Sequence, residues 1–244
     1  MVTEYYKLHS DALGREMECK IYGHGGMPVL FIPCQDGRFF DFENFHMTET
    51  WSPWLEAGEV TVLAVDTLDK ETWSDPETPA ADRARRHEAW MRYLVEEALP
   101  LLEEKSGRKG AVAFGCSLGA THAVNLFLRF PRQFTGLLAL SGIYDAAYGF
   151  GGYMDEVVYA NSPVHYMENF PADHPFTAEY NRNRGIICVG TGDWEQPETT
   201  LRLKELFEQK GIHIWVDVWG SDVNHDWPWW HKMVEYFVPK LLKE

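Results

Sequence analysis

The 244-residue sequence is short of positive charge: 22 Lys and Arg stand against 37 Asp and Glu, a net charge of −15. A field of that sign repels phosphate backbones and anionic lipid, which argues against nucleic-acid and membrane-surface partners. Cysteine is scarce as well. The four present, Cys19, Cys34, Cys116 and Cys188, have no close pair, so neither a zinc site nor a disulfide framework is indicated. The opening Met1-Val2-Thr3-Glu4-Tyr5 lacks the basic start and apolar run of a secretory signal, and a cytoplasmic protein is expected. The long uncharged stretch 110–128 carries Ser117, Thr121, His122 and Asn125 besides its glycines, and reads as a buried strand, turn and helix rather than a membrane span. No repeat, low-complexity tract or linker divides the chain, so one domain over 1–244 is expected. Aromatics, by contrast, are plentiful at 14%, and could line a core or an apolar pocket.

Hydrophobic spacing gives the architecture. Met17, Cys19 and Ile21 alternate with Glu16, Glu18 and Lys20; with Tyr5–His9 and the turn Asp11–Gly14 they predict an antiparallel hairpin. The pattern then changes to short, unbroken apolar runs at Val29–Ile32, Val60–Val65, Ala111–Phe114, Leu137–Leu140, Ile186–Val189 and Ile212–Val218. Such strands belong in a sheet covered on both faces. Helical stretches separate them: 81–104, with Pro100 as an end or kink, then 118–129, 198–210 ending at Gly211, and 229–242, bent near Pro239. The expected fold class is therefore α/β: an eight-stranded, mostly parallel sheet with an N-terminal hairpin and helices on both faces. Residues 149–184, rich in Tyr, Asn, Pro and Gly, are too irregular for one helix and are the candidate cap.

Gly115-Cys116-Ser117-Leu118-Gly119 matches the pattern G-x-S-x-G. Alone the match is weak, but it falls between a buried strand and a helix, where a nucleophile elbow requires it. The serine takes a strained backbone there, and the flanking glycines let strand and helix approach. The helix start also aims its free amides at the oxygen that becomes an anion, which makes the Leu118 N–H one oxyanion donor. A serine needs a base, and in this order of elements the acid and then the histidine follow. Asp193, in the loop after the Ile186–Val189 strand, is the acid candidate, with Glu195 in reserve. His225 is the base candidate, since it hangs in the loop after the last strand, whereas His122 and His231 lie in helices and His213 begins a strand. The second oxyanion amide comes from the loop Pro33-Cys34-Gln35-Asp36-Gly37-Arg38, with Gln35 the candidate and Cys34 the alternative. Arg38 is expected to pair with Asp36 or Asp41. Among Phe39, Phe40, Phe42 and Phe45, half are expected in the core and half beside an acyl pocket. Cys116 should pack inward.

These motifs together resemble the α/β-hydrolase superfamily, and within it the putative esterase family that includes esterase D and feruloyl esterases. The elbow 115–120, the segment Asn161-Ser162-Pro163-Val164-His165-Tyr166 and the loop His225-Asp226-Trp227-Pro228-Trp229-Trp230 carry the resemblance. It implies an α/β-hydrolase fold with a small cap insertion, Ser117 as nucleophile, Asp193 as acid and His225 as base, with no cofactor and no metal. The departure is the Pro33-Cys34-Gln35 loop, which lacks the family's histidine-glycine signature. The expected function is a serine carboxylesterase acting on a small-molecule ester. The same triad would serve an acyltransferase or a peptidase, and a non-catalytic binding scaffold is the third reading. A homo-oligomer is left open. Rings of the 149–184 segment and its start (Tyr148, Phe150, Tyr153, Tyr159, Tyr166, Phe170), with Trp194 and Trp227, are expected to crowd the serine and favour short acyl groups.

Overall fold

The unbroken apolar runs become the interior strands of an eight-stranded sheet in the computed structural model, which describes residues 1–243. The strands are β1 (Thr3–Ser10), β2 (Arg15–Gly23), β3 (Met27–Ile32), β4 (Val60–Val65), β5 (Ala111–Cys116), β6 (Phe134–Leu140), β7 (Arg184–Val189) and β8 (Trp215–Val218). Their order is β1-β2-β4-β3-β5-β6-β7-β8. The β1–β2 and β2–β4 pairs are antiparallel, and every later pair is parallel. This is the eight-stranded, mostly parallel sheet with an N-terminal hairpin that the pattern predicted, and it agrees with the fold the resemblance implied.

Side-chain alternation explains the two layers of core. Leu30, Ile32, Leu63 and Val65 face one layer, where they meet Ala120, Val124 and Phe127 of the helix Leu118–Arg129 and Leu203 and Phe207 of the helix Glu198–Lys210. Val29, Phe31, Val62 and Ala64 face the other, with Trp51 and Leu55 of the helix Met47–Glu56 and Met233 and Phe237 of the helix Trp227–Leu242. Every residue of β4 and β5 is buried, as a strand sandwiched between helices must be.

Several boundaries differ from expectation for local reasons. The helix expected over 81–104 has three parts: Ala80–Tyr93, a wide-turn segment Leu94–Ala98, and Leu99–Ser106. Pro100 lacks the N–H that a regular helix would donate to Glu96, and the widened turn absorbs its ring. The last strand begins at Trp215 rather than Ile212, because Gly211 closes the preceding helix with φ 67° and the Ile212 amide turns back to Phe207. The final helix starts at Trp227, where the Asp226 side chain caps its first amide, and it runs through Pro239. The 149–184 segment, with its approach from 147, folds as four short helices, Ala147–Phe150, Glu156–Ala160, Pro163–Glu168 and Phe176–Arg182. Its last residue, Arg184, is already the start of β7. Among the described residues no helix is long and apolar enough to cross a membrane.

Backbone packs very closely at the C-terminal ends of β3 and β5. A Cβ added at Gly119 would stand 2.3 Å from the Ile32 carbonyl oxygen and 2.4 Å from that of Pro33, and one at Gly115 would stand 2.3 Å from Gly119. These are backbone atoms, so nothing swings aside. Gly119→Ala is expected to cost about 1–3 kcal/mol as an overpacked site, lowering the thermal midpoint by about 2–4 °C per kcal/mol at this chain length. Gly152, where an added Cβ meets nothing within 4 Å, is the control: its Ala variant should stay within about 0.5 kcal/mol. Calorimetry of the two variants decides, and equal midpoints would refute the close approach.

Candidate active site

β5 delivers Ser117 on a turn that no side chain adopts freely. Its φ of 56° and ψ of −129° lie outside the regions open to ordinary residues, a conformation costing on the order of 1–3 kcal/mol. The Ser117 amide is held by the Leu140 carbonyl at 2.8 Å, and its own carbonyl receives the Ala120 amide at 2.9 Å. The neighbouring Cys116 is fully buried and packs into the core, and burial raises its thiol pKa well above the ordinary range. The serine hydroxyl projects instead toward the loop after β8, where Ser117 Oγ donates to His225 Nε2 at 2.9 Å. His122 and His231 are elsewhere: the first is buried against Asp69, the second sits 2.7 Å from Thr50 Oγ1.

The carboxylate against the histidine is Glu195, not Asp193. His225 Nδ1 donates to Glu195 Oε2 at 3.3 Å, and that glutamate side chain is 1% exposed. The correction has a backbone cause. The segment 190–193 pairs with 223–225 through Gly192 N to Val223 O, Asp193 N to Asn224 Oδ1 and His225 N to Asp193 O. Asp193 therefore spends its main chain on this pairing and leaves its side chain exposed. Trp194 then reverses the chain with φ 66°, and the longer glutamate reaches back under the imidazole.

Two further residues hold the acid, and the sequence reading missed both. Glu195 Oε1 receives the Ser141 hydroxyl at 2.7 Å and the Gly190 amide at 3.1 Å. Ser141 in turn accepts the indole N–H of Trp230 at 3.0 Å, and the Trp230 ring meets His225 edge-on at 5.0 Å. The available signal for Ser141 was its place just past the C-terminal end of β6, where parallel sheets gather their chemistry.

On the other side of the serine stands the loop after β3. Among the described residues the amides of Leu118, Cys34 and Gln35 donate to no protein acceptor. The Asp36 amide, by contrast, is bound to Asp69 Oδ2 at 3.2 Å. The Gln35 side chain bridges outward, giving its N–H to Ser74 Oγ and accepting from the Tyr148 hydroxyl, each at 2.8 Å. Arg38 pairs with Asp66 and Glu18, at 2.8 and 2.7 Å, rather than with Asp36 or Asp41; Asp41 takes the Arg38 amide instead.

The expected ring of aromatics is only partly there. Phe39 and Phe42 are buried while Phe40 and Phe45 are exposed, and Phe45 stacks on Trp227 with centroids 4.3 Å apart. Tyr148 touches the site through Gln35. Phe150 packs on Trp73, Tyr166 bonds Asn125, and Phe170 lies against Tyr180, so these cap rings serve the core. Their apolar bodies gain more by covering the helix Leu118–Arg129 than by facing water. A cavity of about 710 Å³ lies at the opposite end of the sheet, around Met27, Glu59, Arg108 and Arg184. Among the described residues no three His, Cys, Asp or Glu side chains gather as a metal-binding group.

A sheet of this order, with a serine elbow at the end of its central strand, is the α/β-hydrolase arrangement. A family model described as "Putative esterase" matches residues 10–240, and the chain belongs to that family. It is similar to a diacylglycerol acyltransferase/mycolyltransferase Ag85A of Mycobacterium leprae, 24% identical over 153 residues, which are 61% of this chain and 46% of that protein. The chain thus spans about half the length of that relative. A ferulic acid esterase has the same fold, with a TM-score of 0.75 at 16% identity, covering 99% of this chain and 98% of the other. An S-formylglutathione hydrolase from Agrobacterium tumefaciens superimposes with a TM-score of 0.72 at 15% identity, covering 98% and 94%.

The two carboxylates can be ranked directly. Glu195→Gln is expected to lower kcat for ester hydrolysis by about ten-thousandfold, as the matching change does in other triads. Asp193→Asn should cost far less. Steady-state kinetics on one ester checks both, and the reverse ranking would return the role to Asp193.

Proposed function

We propose that the protein is a serine carboxylesterase that hydrolyses small, uncharged esters through an acyl-enzyme on Ser117. The observation that carries this reading is the unbroken hydrogen-bonded line from Ser117 through His225 to Glu195. In the first half-reaction Ser117 Oγ bonds the carbonyl carbon while its proton passes to His225 Nε2. Charge gathers on the carbonyl oxygen, which the Leu118 and Gln35 amides receive. The carbon–oxygen bond to the alcohol then breaks, and the alcohol leaves with the proton from His225. In the second half-reaction water gives a proton to His225 and attacks the acyl carbon, and Ser117 leaves with that proton restored. Glu195 holds the imidazole in the tautomer both halves need and balances its charge when doubly protonated.

The surroundings favour a small, neutral substrate. Asp193, Asp222 and Asp226 are exposed on the loops that carry acid and base, and with a net charge of −15 they oppose an anionic ester. The Tyr148–Gln35–Ser74 bridge closes one side of the serine, and Trp227 with Phe45 walls the histidine side. This rim supports a preference for a short acyl chain or one ring, and the likeness to a ferulic acid esterase fold makes feruloyl esters part of the screen. All four thiols are free, which suits a reducing, cytoplasmic setting.

Ser117→Ala should abolish turnover, a loss on the order of a millionfold, together with labelling by a fluorophosphonate probe. Across p-nitrophenyl esters, kcat/KM should be highest from acetyl to butyryl and fall steeply at acyl chains of about eight carbons. An open apolar groove would instead gain about 0.8 kcal/mol per added methylene, so a rise toward long chains would defeat the small-ester reading. Retained activity in Ser117→Ala would defeat the triad itself. Product analysis with added alcohols separates hydrolysis from acyl transfer.

A further inference from the structure

The loop 33–39 lacks the glycine-rich signature that usually shapes an oxyanion loop, yet almost every residue of it is fastened to one other segment, 66–74. Gln35 Nε2 donates to Ser74 Oγ at 2.8 Å, and the Asp36 amide donates to Asp69 Oδ2 at 3.2 Å. The Gly37 carbonyl accepts the Thr67 hydroxyl at 2.9 Å, and the Phe39 amide donates to Asp66 Oδ1 at 2.9 Å. Of these contacts one differs in kind. Asp69 is 1% exposed, and its second oxygen meets His122 Nε2 at 3.1 Å. His122 belongs to the helix that begins directly after Ser117. One buried carboxylate therefore ties the loop carrying the free Cys34 and Gln35 amides to the helix carrying the free Leu118 amide.

We propose that Asp69, clamped by His122, is the positioning residue of the oxyanion site, fixing the Gln35 amide relative to the Leu118 amide. This rests on the esterase reading above. The geometry constrains the loop closely. Cys34–Gly37 is a tight turn closed by the Gly37 amide on the Cys34 carbonyl at 2.9 Å, with Asp36 at φ 60°. A turn with that residue in the left-handed region is costly for a non-glycine side chain. The Gln35 N–H belongs to the peptide just before the one that Asp69 holds. Anchoring the Asp36 N–H at 3.2 Å, with the Gly37 amide closed on the Cys34 carbonyl, therefore fixes the turn on the far side of the Gln35 amide and thereby its direction. The orientation of Asp69 is set by His122, whose other nitrogen, Nδ1, is buried without a partner among the described residues, so among them the ring's one polar contact is the carboxylate. Trp73 packs edge-on against His122 at 5.4 Å and against Phe150 at 5.2 Å, and its indole N–H donates to His87. The clamp is thus enclosed by rings and shielded from competing water, which strengthens each of its hydrogen bonds.

A positioning role makes a demand that a merely structural contact does not: the loss must appear in the transition state and spare ground-state binding. Removing a whole oxyanion donor costs about 100- to 1,000-fold in kcat. Loosening one should cost less, so Asp69→Asn is expected to lower kcat by about 10- to 100-fold while KM for a p-nitrophenyl acetate stays within about threefold. A trifluoromethyl ketone adds to Ser117 as a hemiketal whose oxygen occupies the same site, so its inhibition constant should rise by the factor by which kcat/KM falls. His122→Ala should repeat the effect and His122→Gln, whose amide nitrogen reaches about as far as the imidazole Nε2, should restore most of it. That pair also serves should Asp69→Asn fail to fold. A kcat within twofold of wild type in both Asp69→Asn and His122→Ala, or a change confined to KM, overturns the clamp while leaving the esterase reading intact. A wild-type protein that neither hydrolyses esters nor binds the ketone overturns both.

Discussion

The arrangement at the mouth of the sheet depends on how closely the helix Leu118–Arg129 can approach the end of β3. Gly119 sits against the carbonyls of Ile32 and Pro33 with no room for a methyl group. That contact sets the distance between the elbow and the loop that follows β3, and hence between the free Leu118 amide and the free amides of Cys34 and Gln35. It also explains why the serine can be held at a positive φ. The strained residue is gripped by the Leu140 carbonyl at the end of β6 and by the first turn of its own helix, and it directly follows β5, whose every residue is buried. Strain of a few kcal/mol persists only where the surroundings over-determine it.

The acid side follows a different logic. A glutamate has one more rotatable bond than an aspartate, and held by the histidine alone it would lose precision. Here Oε1 is fixed by two donors, Ser141 and Gly190, so Oε2 has one direction left to face. Ser141 is fixed in its turn by Trp230, whose edge also rests on the imidazole. The indole therefore orients Glu195, through Ser141, and His225 together. The buried glutamate has all its contacts filled, as a buried carboxyl group must to avoid a desolvation penalty.

How much of this was written plainly in the sequence varies with the range of the interaction that decides it. Ser117 and Leu118 were legible because strand, turn and helix are contiguous and the glycines mark the turn. His225 was legible because a loop after the last strand has few places to go. Asp193 was misleading because the choice between it and Glu195 depends on backbone pairing between 190–193 and 223–225, two loops some thirty residues apart, and on a left-handed Trp194 that no propensity would place there. Arg38 illustrates the same limit. Its local acids, Asp36 and Asp41, were the natural partners, but the sheet brings Asp66 and Glu18 closer. The sheet itself was easiest to read, since unbroken apolar runs have one common home, whereas the aromatic cap segment gave no period to say which rings face inward.

The position of the cap rings bears on how such a site would choose its substrate. Phe150, Tyr166 and Phe170 are committed to the core, so they hold the segment in place and leave selection to few side chains. Tyr148 reaches the loop through Gln35, Trp227 is stacked on Phe45, and Trp194 stands 87% exposed beside the acid. These groups sit on different elements; the Tyr148 and Trp194 side chains neither bond to nor stack on Ser117, His225 or Glu195, whereas Trp227 packs edge-on against Trp230, which does touch His225. The rigid part of the molecule, two buried strands with Gly119 between them, fixes the chemistry. A rim of separate rings among exposed carboxylates can select for shape and against negative charge at once.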